Sequence, residues 1–240
     1  MDFLLVCQRL AEGFLTTLLI FTLTLVISLP FGLVVYFGRA SEFAPFSFLT
    51  KKKSNEKKRF LKFLSEFKPI SVIVKFFIAI LRGTPLMLQL IVVFYAPYYV
   101  FGARLTPEWN FIALIVGFSI NYSAYFAEIY RSGIESIPVG QYEAAQVLGY
   151  SSAQTFLKII LPQMIKIVLP SVTNEIITLV KDTSMAFVLS YIEMFTLAKM
   201  IAAKESNIYP LLVAGAFYFV FNYIVDLVMR KIEKSLKYYD

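Results

Sequence analysis

The chain has 240 residues, of which 58% are hydrophobic and only 16% are charged. With a mean hydropathy of +0.70, it carries more apolar surface than a soluble domain of this size can bury, which predicts an integral membrane protein. The absence of His and the presence of a single Cys, Cys7, exclude His-based catalysis, imidazole metal sites and internal disulfides.

Five apolar stretches are long enough to cross a bilayer, which takes about 20 residues. The first is uncharged, has no basic flank and no small-residue cleavage site, so we interpret it as a retained span and not as a signal peptide. The second is interrupted by Arg-Gly-Thr-Pro at 82–85, which we interpret as a helix break with an interfacial anchor. The predicted fold is an all-α membrane protein, one transmembrane domain over residues 1–240, with spans at 14–37, 76–96, 110–130, 167–195 and 208–229.

The distribution of Lys and Arg predicts the orientation of these spans. The segments that follow spans one, three and five (38–69, 131–166 and 230–240) hold sixteen basic residues, whereas the three opposite segments hold four. Basic residues accumulate in cytoplasmic loops, so the N-terminus is expected outside and the C-terminus in the cytoplasm.

The net charge of +7 comes mostly from one loop. The basic cytoplasmic loop 38–69 carries nine Lys or Arg, most of them at 51–62. We interpret these charges as topological, resting against anionic headgroups. Nucleic-acid binding is disfavoured because no recognition module or array of stacking aromatics accompanies them.

Segment 137–163, between spans three and four, is too polar to span and too regular to be a loose linker. Pro138 suits a first helical turn, and Gly149 suits a left-handed helix C-cap. Ser151 or Ser152 can cap a second helix, which is expected to stop before Pro162. The predicted structure is a helical hairpin on the cytoplasmic face that serves as a docking surface.

Within this segment the spacing is distinctive: Glu143-Ala144-Ala145, three residues, Gly149, nine residues, Ile159, one residue, Leu161-Pro162. It resembles the EAA signature of ABC importer permeases at every fixed position. Residues 82–86, 128–134, 138–141 and 179–184 resemble the polar amino-acid uptake branch of that family. The resemblance covers nearly the whole chain and departs at loop 38–69, which is longer and more basic than expected.

The resemblance implies a type I ABC importer permease fold: five transmembrane helices with a cytoplasmic coupling hairpin in a bacterial cell membrane. It also implies partners, namely ABC ATPase subunits that carry ATP and Mg, a second permease copy or paralogue, and an extracellular solute-binding protein. As a permease subunit, the chain is expected to bind no cofactor and not to be an enzyme. It has no Gly-x-x-x-x-Gly-Lys-Ser/Thr phosphate loop, so ATP hydrolysis is expected on a separate chain. By carry-over, the ATPase-coupling contact consists of Glu143, Ala144, Ala145, Gly149, Leu161 and Pro162.

Polar side chains inside the predicted spans are candidates for the substrate pathway, because charge at membrane depth normally faces protein or water. Span four brings Asn174, Thr178 and Lys181, and also Glu175 and Asp182, to helical spacing along one side. Lys181 is expected roughly 16 Å beyond Pro170, about half way through the hydrocarbon. The candidate pathway residues are Lys181, Asp182, Thr183, Ser184, Asn121, Glu128 and, more weakly, Gln89.

Two alternatives stay open at this point. Lys181 and Asp182 could contact a partner permease instead of substrate, just as Asn121 and Glu128 could serve interhelical hydrogen bonding. At the level of function, the alternative is a self-sufficient secondary carrier or channel, although five spans without an internal repeat make a poor carrier. The sequence does not name the amino acid that is transported.

Overall fold

The computed structural model describes residues 3–43 and 68–236, and every regular element in these two ranges is helical. The basic run at 51–62 lies outside them. The long helices are α1 (Phe3–Ala40), α4 (Pro107–Glu135), α7 (Leu161–Asp182) and α9 (Tyr209–Leu236). The shorter ones are α2 (Pro69–Gly83), α3 (Leu86–Phe101), α5 (Val139–Val147), α6 (Ser152–Thr155) and α8 (Met194–Glu205), with a π turn at Phe156–Ile160 and a 3₁₀ segment at Thr183–Leu189.

Four helical segments are long and apolar enough to span a membrane: Phe3–Ala40, Pro107–Glu135, Ser152–Leu189 and Tyr209–Leu236. Helices α2 and α3 form a fifth candidate that is bent by 116° at the break between them. The predicted all-α membrane fold is confirmed. The break predicted at residues 82–85 is confirmed as well, since α2 ends at Gly83 and α3 begins after Pro85.

Helix α4 is the central helix of the fold. Two thirds (67%) of its most apolar stretch is buried, against 17% for α9. Its largest fully buried side chains are those of Phe118, Tyr122 and Phe126. A Cβ added to Gly133 would lie 2.2 Å from a methyl carbon of Val168, so a residue without a side chain is what lets α4 and α7 approach this closely.

The first helix begins at Phe3, well before the predicted start at residue 14. Its additional turns are apolar on one face and bury Val6 and Leu10 against Met194 and Ala214, which belong to α8 and α9. Packing with elements that are distant in sequence therefore extends this helix beyond the length that a bilayer requires.

The fourth membrane-spanning helix covers Ser152–Leu189, so it starts and ends earlier than the predicted span at 167–195. The helical chain ends at Leu189, Ser190 adopts a left-handed conformation (φ 54°), and a new helix, α8, begins at Met194. Helix α8 is not among the predicted spans, since most of it lies in the connection between those at 167–195 and 208–229. The break occurs because Glu193 caps a new helix N-terminus with its own carboxylate.

The prediction that the second hairpin helix stops before Pro162 is also wrong. The chain is helical without interruption from α6 through the π turn into α7. The Leu161 N–H donates to the Phe156 carbonyl, five residues back. This wider turn places Pro162, which has no N–H to donate, in the first turn of α7, where its ring is tolerated.

Candidate functional site

The segment predicted to couple to an ATPase is a capped turn between α5 and α6. Gly149 has a φ of 77°, so the predicted left-handed cap is confirmed. The Tyr150 N–H donates to the Ala145 carbonyl at 3.0 Å, which closes the end of α5. Ser151, not Ser152, caps α6: its Oγ accepts from the Gln154 N–H while its own N–H donates to Gln154 Oε1.

Exposure divides the residues of this segment into two groups. Glu143, Ala144, Gly149 and Pro162 are exposed, whereas Leu161 is half-buried and the Ala145 side chain is completely buried. Two apolar residues between them are strongly exposed, Val147 at 87% and Leu148 at 73%. The turn therefore presents an apolar surface beside an acidic group, and Ala145 supports that surface from inside.

Helix α7 carries a polar stripe that nothing in the described chain covers. Asn174, Thr178 and Lys181 recur at helical spacing and are all exposed. The Thr178 hydroxyl donates to its own helix, to the Asn174 carbonyl at 2.9 Å. Polar side chains on a membrane-spanning helix face either water or another protein surface.

The structure places Asp182 away from this stripe, on the side of α7 that faces α4. Its Oδ2 accepts a hydrogen bond of 2.7 Å from the Tyr122 hydroxyl. The next two predicted residues bond to their own helix, with the buried Thr183 donating to Val180 O and Ser184 donating to Lys181 O. Lys181 and Asp182 are neighbours in sequence but face different surroundings.

Gln89 and Asn121 lie together at the break between α2 and α3. The Asn121 amide donates to Gln89 Oε1 at 2.9 Å. The Gln89 amide in turn donates to the carbonyls of Leu81 and Thr84, at 2.8 and 3.1 Å. These carbonyls belong to a helix end that would otherwise leave them unpaired. The two amides thus stabilise the bend and connect it to α4.

Glu128 is the centre of an ionic cluster that joins three helices. Arg39, at the end of α1, and Arg131, one turn along α4, both donate to its carboxylate, Arg131 at 2.8 Å. Arg131 also pairs with Glu135, while Arg82 of α2 approaches Glu128 only to 3.9 Å. The cluster fixes the ends of α1 and α2 against α4.

A cavity of about 300 Å³ lies between α2, α4 and α7 beside this cluster. Its polar lining consists of Arg82, Tyr125, Glu128, Arg131, Ser132, Ser171 and Glu175. Of the predicted pathway residues, only Glu128 lines it. Arg82, interpreted from sequence as an interfacial anchor, reaches into the cavity and lies over the Tyr125 ring at 5.4 Å. Within residues 3–43 and 68–236, no acidic or Cys cluster is placed to hold a metal ion.

Glu193 is a buried residue that the sequence analysis missed. Its carboxylate accepts from the N–H groups of Phe195 and Thr196 and from the hydroxyls of Thr17, Thr196 and Tyr218. An acidic residue just before an apolar helical stretch is a signal for a helix N-terminus and could have revealed α8. Its contacts to α1 and α9 have no signal in the sequence.

Comparison with known proteins shows the family of this chain. Residues 60–238 match the family of binding-protein-dependent transport system inner membrane components. The chain belongs to this family. It is 34% identical, over 73% of its length, to the L-cystine transport system permease protein TcyB of Bacillus subtilis, of which 74% is covered. It is 33% identical, over 72% of its length, to the arginine transport system permease protein ArtQ of the same species, of which 78% is covered.

Solved structures agree with the assignment. A chain of an amino acid ABC transporter crystallised with histidines superposes with a TM-score of 0.77 at 27% identity, over 98% of this chain and 99% of that one. A chain of the inward-facing MetNI methionine ABC transporter shares the fold with a TM-score of 0.67 at 17% identity, over 99% of this chain and 100% of that one. The predictions of an ABC importer permease and of a multi-pass membrane subunit are confirmed.

Proposed function

We propose that this chain forms the translocation pathway of an importer for a polar amino acid. Relatives that match it over about two thirds or more of its length are named as permeases for L-cystine, arginine and glutamine. The uptake is driven by ATP, which binds with Mg to separate ATPase subunits. An external solute-binding protein delivers the amino acid to this subunit.

The observation that carries this proposal is the capped turn between α5 and α6. Val147 and Leu148 are exposed there beside Glu143, and Gly149 turns the chain in a conformation that other residues rarely adopt. Exposed apolar residues on an otherwise polar segment favour a protein partner. In our proposal the ATPase subunit contacts Glu143, Ala144, Gly149 and Pro162, while Ala145 and Leu161 hold these residues in place from inside.

We further propose that the translocation pathway follows α7. The exposed stripe of Asn174, Thr178 and Lys181 faces either water in the pathway or a second permease copy, and Thr183 and Ser184 complete the same end of the helix. Asp182 contributes from the side of α7 that faces α4, and Glu128 contributes from α4 itself. Gln89 and Asn121 act on the pathway through the bend that they stabilise.

The chain is oriented with its N-terminus outside and its C-terminus in the cytoplasm. The sixteen-to-four distribution of Lys and Arg supports this orientation. It puts the α5–α6 turn on the side where ATP is available and the short connections around residue 104 on the side of the binding protein.

The experiment that tests the proposal is uptake of labelled L-glutamine, L-arginine and L-cystine. The permease is co-expressed with its partner ATPase and solute-binding protein and reconstituted into vesicles that enclose either ATP or ADP. Uptake of at least one of the three amino acids with ATP and not with ADP is expected. Uptake that continues without ATP but is abolished by dissipating the ion gradient would instead indicate a secondary carrier.

A further inference from the structure

The charges around the cavity between α2, α4 and α7 do not all pair with one another. Arg39 and Arg131 both donate to Glu128, and Arg131 also pairs with Glu135. These two arginines and two glutamates neutralise one another through direct contacts. The cavity lining then contains one more cation, Arg82, and one more anion, Glu175.

Arg82 has no strong partner within residues 3–43 and 68–236. Its nearest carboxylate oxygen, from the already neutralised Glu128, is 3.9 Å away, and its other contact is the face of the Tyr125 ring. None of its five N–H donors makes a hydrogen bond to a described residue. The side chain remains 45% exposed, so its donors are available to a ligand in the cavity.

Glu175 is in the complementary position on α7. It is half-buried, lines the same cavity, and accepts no hydrogen bond and forms no ion pair within the described part of the chain. Arg82 is close enough to act on it electrostatically, but the two side chains stay beyond ion-pairing distance. A carboxylate without a partner on a membrane-spanning helix requires compensation by water, by a cation or by a bound ligand.

We infer that this cavity binds a free α-amino acid, with Arg82 holding the α-carboxylate and Glu175 the α-ammonium group. A guanidinium presents paired donors that match a carboxylate, and a carboxylate accepts from an ammonium. A zwitterion thus supplies each residue with the partner that it lacks and adds no net charge to the membrane interior. The volume of about 300 Å³ is at the small end of ligand sites, which suits a single amino acid.

This inference rests on the proposed function, since it specifies how an amino-acid permease would hold its substrate. It assigns the recognition of the zwitterion to α2 and α7, and not to Lys181 and Asp182, which face different surroundings. It names the part that all α-amino acids share, so the cavity by itself selects against amines and carboxylic acids that lack one of the two groups.

The test is equilibrium binding of labelled L-arginine, L-glutamine and L-cystine to the detergent-purified permease–ATPase complex, without the external binding protein. Arg82→Gln and Glu175→Gln should each weaken binding by about tenfold or more, as expected for the loss of a hydrogen-bonded charge. The matched controls are Glu12→Gln and Arg230→Gln, which remove exposed charges outside the cavity and should bind as the wild type does.

Substrate analogues assign each contact separately. For binding to the wild type, the amine that lacks the α-carboxylate should compete poorly with the labelled amino acid. For binding to Arg82→Gln, the amine and the amino acid should have similar affinities. The deaminated acid should show the same pattern in Glu175→Gln. If either amide variant fails to form a complex, Arg82→Lys and Glu175→Asp keep the charges, and Arg82→Lys should bind more weakly because Lys cannot form the paired contact.

The double variant Arg82→Gln/Glu175→Gln separates a ligand site from a structural pair. A ligand site predicts binding at least as weak as in either single variant, whereas restored binding would show that the two residues serve each other and would overturn the inference. Absence of binding to the wild-type complex would also overturn it and leave the proposed function intact, provided that ATP-driven uptake persists. Absence of any ATP-driven uptake would contradict the proposed function itself.

Discussion

Gly149 shows how a single residue can control the proposed coupling surface. A Cβ at this position would meet no other atom within 4 Å, so the only obstacle to a side chain is the backbone φ of 77°. Gly149→Val should strain the turn by about 1–2 kcal/mol or more and reorient α6. We expect loss of uptake and weaker co-purification of the ATPase, with normal insertion of the chain.

Gly140 provides the matched control, because it is equally open but lies in α5 with an ordinary helical φ. Gly140→Val should therefore keep uptake close to that of the wild type. Normal uptake and normal ATPase recovery with Gly149→Val would contradict a coupling role for this turn.

Glu193 is predicted to contribute strongly to stability. Glutamine at this position keeps the shape but replaces one accepting oxygen with a donating amide, opposite donors from α1, α8 and α9. Glu193→Gln should lower the free energy of unfolding by about 2 kcal/mol or more, because buried donors lose their acceptor. The measurement is the thermal unfolding midpoint of the purified complex, with Glu12→Gln, an exposed residue, as the control.

An unchanged midpoint for Glu193→Gln would show that the α8 N-terminus does not depend on this carboxylate.

Gly149 and Glu193 differ in how far their roles could be predicted from the sequence. The Gly149 cap and the Ser151 cap were predictable because both depend on neighbours within a few positions. The partners of Glu193 include Thr17 and Tyr218, which only the fold brings together.

At the scale of the element, α7 is the helix whose two sides carry different predicted roles. Lys181→Met removes the charge from the exposed stripe, and Asp182→Asn keeps the Tyr122 hydrogen bond but removes the charge on the other side. We expect both variants to assemble with wild-type ATPase activity and to show uptake reduced by about tenfold, as for other lost charge contacts. The control is Lys204→Met, an exposed lysine at the end of α8.

Wild-type uptake by both α7 variants would place the pathway elsewhere, and loss of complex formation would favour a contact between permease copies.

The long helices were predictable because a stretch of about twenty apolar residues is long enough to cross a bilayer as a helix. The continuity from α6 to α7 was not, because it depends on a π turn that places Pro162 at a helix start. Nor could the sequence show that Arg82 and Glu175 border one cavity, since they lie on different helices.

At the scale of the whole molecule, the orientation in the membrane is open to a direct test. Single cysteines at Ser54 and Arg104 in a Cys7→Ser background should be labelled from opposite sides by a membrane-impermeant maleimide. Arg104 is exposed between α3 and α4 and should react in intact cells. The Ser54 cysteine should react only after the cells are opened, and its labelling in intact cells would contradict the proposed orientation.

The uninterrupted helix from Ser152 to Asp182 has a mechanical consequence. At 1.5 Å per residue it is about 46 Å long, and no loop interrupts it between the turn at Gly149 and Asp182. A continuous helix acts as a lever, because a rotation imposed at one end displaces the residues at the other end. We therefore expect a movement of the α5–α6 turn to reach Glu175 and Asp182 along one helix, and to change their positions relative to Arg82 on the neighbouring helix.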